Sequence, residues 1–227
     1  MEKMDNKQHD VSIRNQIYQQ LMEQFCSGKI AVGERITEKQ IEKQFSVSRA
    51  PVREALVKLC HENVLESVPR VGYRLRELTY KDLAEIAELR LYLELGSLSN
   101  IFKRLNEESL DGLRRLNEER THFVPSEHAL WLRWSNNLRF HLALNKIAGN
   151  EQVYQVLERC IATNSRAYAQ LYPFKHEEDF MNQYHSRHDA IVSALERHDI
   201  FHAYIYLEQD IVHLQSLLSK YQNSATM

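Results

Sequence analysis

Ser46-Val47-Ser48-Arg49-Ala50-Pro51-Val52-Arg53-Glu54-Ala55-Leu56 is the stretch that decides the fold. Ser48 is a helix N-cap residue, and Val47 with Val52 takes the two positions of a hydrophobic staple. Pro51 falls in the first turn, where its missing N–H removes no intrahelical bond. Val52, Ala55, Leu56 and Leu59 recur at helical spacing and form one apolar stripe, while Arg49 and Arg53, one turn apart, share another face. The spacing predicts a short helix that buries one side and offers two guanidinium groups on the other.

Immediately upstream, Thr37 and Gln40 make a capping box, flanked by Ile36 and Ile41 as a second staple, so another short helix comes first. Two short capped helices joined at Ser46-Val47 read as a helix-turn-helix. Before them a helix opens at Ser12, carries Ile13, Ile17, Leu21 and Phe25 at helical spacing and stops at Gly28; a turn containing Gly33 follows. Downstream, Asn63 stands where a left-handed C-terminal residue is wanted. Leu65 to Val68 and Tyr73 to Leu75 then read as two short strands around Pro69-Arg70-Val71-Gly72, a candidate wing.

From Thr79 onward the pattern changes to long helices, placed near residues 80–103, 107–121, 127–148, 150–172, 177–197 and 199–222. Their breaks are Glu107-Glu108, Pro125-Ser126, Gly149-Asn150, Pro173 and His198-Asp199. No segment repeats at a fixed period, which leaves a compact bundle rather than a solenoid. The expected architecture is mainly α, with a winged helix-turn-helix over residues 1–78 and an all-α antiparallel helical bundle over residues 79–227.

Composition narrows the class. Of 227 residues, 43% are hydrophobic and 26% charged, ordinary values for a globular protein, and no apolar run is long enough to cross a bilayer. Met1 to Asp10 is polar and lacks the hydrophobic core of a signal peptide, so a cytoplasmic location without membrane partners is expected. Cys26, Cys60 and Cys160 are widely spaced and lack the close pairing of a zinc clip or redox motif; they read as reduced packing residues. Net charge is −2, with 13 Lys and Arg against 11 Asp and Glu in residues 1–78 and 16 against 20 in the remainder. The placement of the basic residues therefore matters more than their sum.

A recognition helix enters the major groove N-terminus first, which is where Ser48, Arg49 and Arg53 stand. Lys39, near the start of the preceding helix, is placed for the phosphate backbone, and Arg70 with Gly72 at the wing tip for the adjacent minor groove or its phosphates. The competing reading is a solvated arginine pair, balanced by Glu54 or Glu42. A single winged helix covers little DNA, so a homodimer on a palindromic operator is the expected arrangement.

In the second half, three apolar stripes each contain polar residues. Asn137 and His141 lie in line with Trp134, Leu144 and Ala148; His188 with Ile191, Val192 and Leu195; Asp210 with Leu207, Leu214 and Leu217. If these stripes face one another, two imidazoles, a carboxylate and an amide oxygen converge, a set suited to a divalent transition metal. Ordinary core polar residues, each satisfied locally, remain the alternative. Arg90 shares a face with Leu83 and Ala87 and points inward, either to a ligand carboxylate or to Glu94 one turn on. By periodicity alone, Arg166, His185 and His213 are further candidates to line an effector pocket. A rival function is a metal-dependent helical-bundle enzyme with an accessory winged helix. The paired Glu-x-x-His motifs of di-iron bundles are missing, as are a phosphate loop and a nucleophile elbow.

The run from Ile30 to Gly72, with Gly33-Glu34-Arg35, Phe45-Ser46-Val47-Ser48-Arg49, Pro51-Val52-Arg53-Glu54-Ala55-Leu56 and Arg70-Val71-Gly72, resembles the winged helix of the GntR regulators. The resemblance implies operator contacts by Lys39, Arg49, Arg53 and Gly72; the family usually has Gly where Asn63 stands here. Residues 80–222 resemble the FCD effector domain of the FadR branch, with the six-helix count of VanR-type members. The stretches that carry this are Arg90-x-x-x-Glu94, Phe140-His141 before Ala148-Gly149-Asn150, and His188-x-x-Ile191 with Ala194-Leu195. That resemblance implies a ligand-responsive regulator, usually a repressor, that binds a small organic acid. It also implies a metal such as Zn, Ni or Mn held by one Asp and three His. Those positions fall on Asn137, His141, His188 and Asp210, so the carboxylate has moved from the first place to the last. An amide oxygen at Asn137 shifts preference toward oxygen-seeking ions.

Overall fold

The computed structural model describes the backbone of residues 2–121, 129–171 and 177–225, and their side chains except at 2–11, 120–121, 129–137, 168–169, 177–186 and 214–225. The chain divides into two compact units, Met1–Glu77 and Leu78–Met227.

In the first unit, α1 (Glu2–Cys26) packs on α3 (Arg49–His61), and α2 (Glu38–Phe45) packs on α3 from another side. Ile17, Leu21 and Phe25 of α1 meet the stripe of α3, where Val52, Ala55, Leu56 and Leu59 are wholly buried. Removing each such leucine from water stabilises the unit by about 1.5–3 kcal/mol. The Thr37–Gln40 capping box is present with both reciprocal hydrogen bonds. α2 ends at Ser46 in the left-handed conformation, φ 54°. Asn63 adopts the expected left-handed backbone at φ 54°.

Three expectations are corrected here. α1 begins at Glu2 rather than Ser12. Ser48 is the N-cap of α3 by backbone position, but its hydroxyl makes no capping hydrogen bond. The wing is a three-stranded antiparallel sheet rather than a hairpin, in the order β1 (Arg35–Ile36), β3 (Gly72–Leu75), β2 (Leu65–Val68). Arg35 pairs with Arg74 and Ile36 with Tyr73, while Leu65 pairs with Leu75 and Val68 with Gly72. Gly72 is required by this approach: its φ is +121°, and a Cβ there would collide with the carbonyl oxygen of Ile36.

In the second unit the described helices are α4 (Tyr80–Arg104), α5 (Glu107–Thr121), α6 (Ala129–Ile147), α7 (Glu151–Leu171), α8 (Glu177–Glu196) and α9 (Ile200–Ala225). α9 packs on α4 and α8, α7 on α4 and α6, and α5 on α6 and α8. One core of Leu98, Ile101, Leu113, Leu144, Leu195 and Leu207, among others, joins five of these helices. Gly149 and His198 turn the chain at φ 69° and 52°, whereas the breaks at Pro125-Ser126 and Pro173 lie outside the described residues. Among the described residues no helix is long and apolar enough to cross a membrane.

Candidate nucleic-acid interface and helical-core site

The start of α3 presents its arginines as the stripe pattern requires. Burial of Val52 and Leu56 turns the opposite face outward, so Arg49 and Arg53 are both exposed. Neither Glu54 nor Glu42 is the hydrogen-bonding partner of Arg49; its Nε donates to Oε2 of Glu38 at 2.5 Å. This contact favours the charged guanidinium further. The other Glu38 oxygen accepts from the Tyr73 hydroxyl at 3.4 Å, so α2, α3 and β3 meet at one carboxylate. Lys39 is exposed on the first turn of α2, and Arg70 is exposed at the β2–β3 turn with φ 62°. Arg35 braces that turn, Nε donating to the carbonyl of Val71 at 2.7 Å. Ser48 is exposed beside Arg49, and Gly72 is half-buried at the start of β3.

Inside the helical unit, the stripes of α6, α8 and α9 do converge. His141, His188 and Asp210 are buried together, and one ligand atom from each lies within 4.8 Å of the others. His141 Nε2 is 3.0 Å from Asp210 Oδ2, and His188 Nε2 is 3.6 Å from the same oxygen. Asp210 Oδ1 is buried without a hydrogen-bond partner among the described residues. Phe140 stacks on the His188 ring with centroids 3.9 Å apart and fixes its plane. The side chain of Asn137, one helical turn before His141, lies outside the described residues, as does that of His185.

α4 adds a second layer. Arg90 Nε donates to Oε1 of Glu94 at 2.7 Å, and Oε2 of Glu94 is 2.6 Å from His141 Nδ1, with all three side chains buried. Of the two sequence readings for Arg90, the internal ion pair with Glu94 is therefore formed. Burial opposes charge on every member. Against it, the Arg90 guanidinium and His141 hold Glu94 below its ordinary range. Burial likewise pushes His141 down, but Glu94 and the hydrogen bond to Asp210 carry it above its usual value. Asp210 stays well below the carboxylate range despite burial, through attraction to His188 and the contact with His141.

Arg166 is buried in α7, with Nη2 3.4 Å from Thr163 Oγ1, and half-buried His213 has Nδ1 3.1 Å from Arg187 Nη2. Glu94 in its contact with His141, and Glu38 in its contact with Arg49, are the functional candidates that periodicity did not single out. The signal for Glu94 lay in Arg90-x-x-x-Glu94, read there as a partner for arginine alone.

Residues 13–75 match the family described as bacterial regulatory proteins, gntR family, and residues 85–212 match the FCD domain. The uncharacterized HTH-type transcriptional regulator YdhC of Bacillus subtilis is 33% identical over 145 residues, covering 63% of this chain and 64% of that protein. The HTH-type transcriptional regulator McbR of Escherichia coli is 31% identical over 113 residues, or 50% of this chain and 51% of its own length. The chain thus spans between half and two thirds of these relatives. The solved structure of E. coli McbR/YncC shares the fold with a TM-score of 0.77 at 20% identity, covering 92% of this chain and 98% of that one. With a gntR-type winged helix in its first unit and an FCD domain through most of its second, the chain belongs to the GntR family of bacterial regulatory proteins.

Proposed function

We propose that the protein is a transcriptional regulator that binds a palindromic operator as a homodimer in the cytoplasm, with residues 1–78 as the DNA-binding part and 79–227 as the effector-binding and dimerisation part. The observation that carries this is the start of α3, where a fully buried stripe backs two exposed arginines. Arg49 and Arg53 read bases, with Ser48 beside them. Lys39 contacts phosphates, and the wing at Arg70 and Gly72 lies on the adjacent groove. The regulatory family matches count against the bundle-enzyme alternative.

The buried cluster supports a divalent metal such as Zn, Ni or Mn in the second unit. His141 and His188 offer Nε2 beside a carboxylate whose second oxygen is buried and unpaired among the described residues, which is the donor chemistry of such sites. His141 also turns Nδ1 to Glu94, the carboxylate–imidazole pairing that orients metal-binding histidines. His141, His188 and Asp210 would hold the ion, with Asn137 the fourth candidate by sequence. A bound ion supplies a Lewis acid for the oxygens of an organic-acid effector. Arg166, His185 and His213 are the protein's own candidates to receive its carboxylate, Arg90 being engaged by Glu94. Effector binding then alters operator affinity by no more than its differential affinity for the two arrangements, and release of a repressor is the sign we expect.

The test is selection of duplexes from a randomised pool by the wild-type protein, followed by titration of Arg49→Ala/Arg53→Ala on the selected sequence. The double variant should lose sequence-selective binding while keeping its fold. Unchanged binding by that variant would refute the assignment.

A further inference from the structure

We propose that Glu38 is the positioning residue that sets Arg49 for base readout and holds down binding to unrelated DNA. The proposal rests on the DNA-binding reading above and adds a residue to it. Glu38 opens α2, immediately after its N-cap Thr37, and Arg49 opens α3. The Glu38 side chain is only 17% exposed, whereas that of Arg49 is 71% exposed. The carboxylate is thus anchored against the protein, and the guanidinium is the outward partner.

The atom used in the contact matters. Arg49 spends Nε on Glu38. The donors on Nη1 and Nη2 are left as the end-on fork that matches O6 and N7 of guanine. A free arginine must be ordered on binding, at an entropic cost. Glu38 supplies that order beforehand, and Tyr73 steadies the carboxylate from β3. The same negative charge, set beside the duplex, disfavours a sequence-blind approach to phosphates. Its removal therefore acts in opposite senses on the two kinds of DNA: the fork loses its orientation, and the phosphate backbone loses a repulsive neighbour. A residue that merely stabilised α2 would weaken binding to both.

The experiment measures affinity for a duplex selected by the wild-type protein and for a random-sequence duplex of equal length, in wild type, Glu38→Ala, Glu38→Gln and Arg49→Lys. Glu38→Ala should lower the ratio of selected to random affinity about tenfold, within the range lost with one bidentate base contact, without weakening the random duplex. Glu38→Gln keeps an acceptor oxygen and should fall between. In the Arg49→Lys background, which has no fork to orient, Glu38→Ala should leave the ratio unchanged. An undiminished ratio in Glu38→Ala, or an equal drop in the Arg49→Lys background, would overturn the proposal. Should Glu38→Ala not fold, the Glu38→Gln comparison decides by the same two criteria. A wild-type protein that selects no duplex refutes the DNA-binding reading itself, an outcome distinct from either.

Discussion

Nδ1 of His141 lies 2.6 Å from a carboxylate oxygen of Glu94, 47 residues earlier in the chain, and neither side chain is exposed. The contact ties α6 to α4, and Arg90 completes it from the far side of the carboxylate. Truncation at Glu94 would take from the buried Arg90 guanidinium the carboxylate that its Nε holds. Glu94→Ala should therefore lower unfolding stability by about 3–5 kcal/mol, whereas the apolar pair Arg90→Met/Glu94→Leu should recover most of the loss. Urea denaturation of the single and double variants checks this, and a single variant as stable as wild type would contradict it.

The His141–His188–Asp210 cluster predicts a thermal response to metal. Protein purified without a His-tag and stripped with chelator should gain about 5–10 °C in Tm when Zn, Ni or Mn is present at a hundredfold excess over its Kd. Asp210→Asn, or His141→Ala with His188→Ala, should lose that gain. Elemental analysis gives the second readout: no bound metal in wild type and no shift with any of the three ions would sink the site.

Gly72→Ala tests the wing by geometry alone. The new methyl would meet the Ile36 carbonyl at a residue whose φ is +121°. We expect a stability loss of at least about 1–2 kcal/mol. Loss of β1–β3 pairing should appear as faster amide exchange across Arg35 and Arg74. Operator affinity should fall although no charged side chain has changed. Unaltered exchange would show that β1 and β3 do not need this close approach.

Lys39 and Arg53 should separate by their salt dependence. Lys39→Ala should weaken all duplexes alike and lower the slope of log affinity against log salt by about one counterion. Arg53→Ala should cost about 1–3 kcal/mol on the selected duplex and relax the choice of base at one position. Identical profiles for the two variants would remove the distinction between phosphate and base contacts.

What the sequence disclosed was what neighbouring residues decide among themselves. The capping box of Thr37 and Gln40, the stripe of Val52, Ala55, Leu56 and Leu59, and the left-handed Asn63 all depend on spacing within a few residues, and all are found. The two-residue strand β1 escaped because Arg35-Ile36 has no periodicity of its own and exists only by pairing with Arg74 and Tyr73. The partner of Arg49 escaped for a similar reason: Glu38 is 11 residues away across a turn, farther than helical spacing reaches. In the bundle, periodicity placed His141, His188 and Asp210 inward, but only the packing of α4 against α9, α7 and α6 brought Glu94 to His141.

At the junction of the two units, Thr79 and Asp82 cap each other's backbone just after the division at Glu77 and Leu78. The opening turn of α4 finds capping hydrogen bonds within its own first residues. A splice made there keeps both capping bonds within one fragment, so this helix would start in the same way behind a different N-terminal unit.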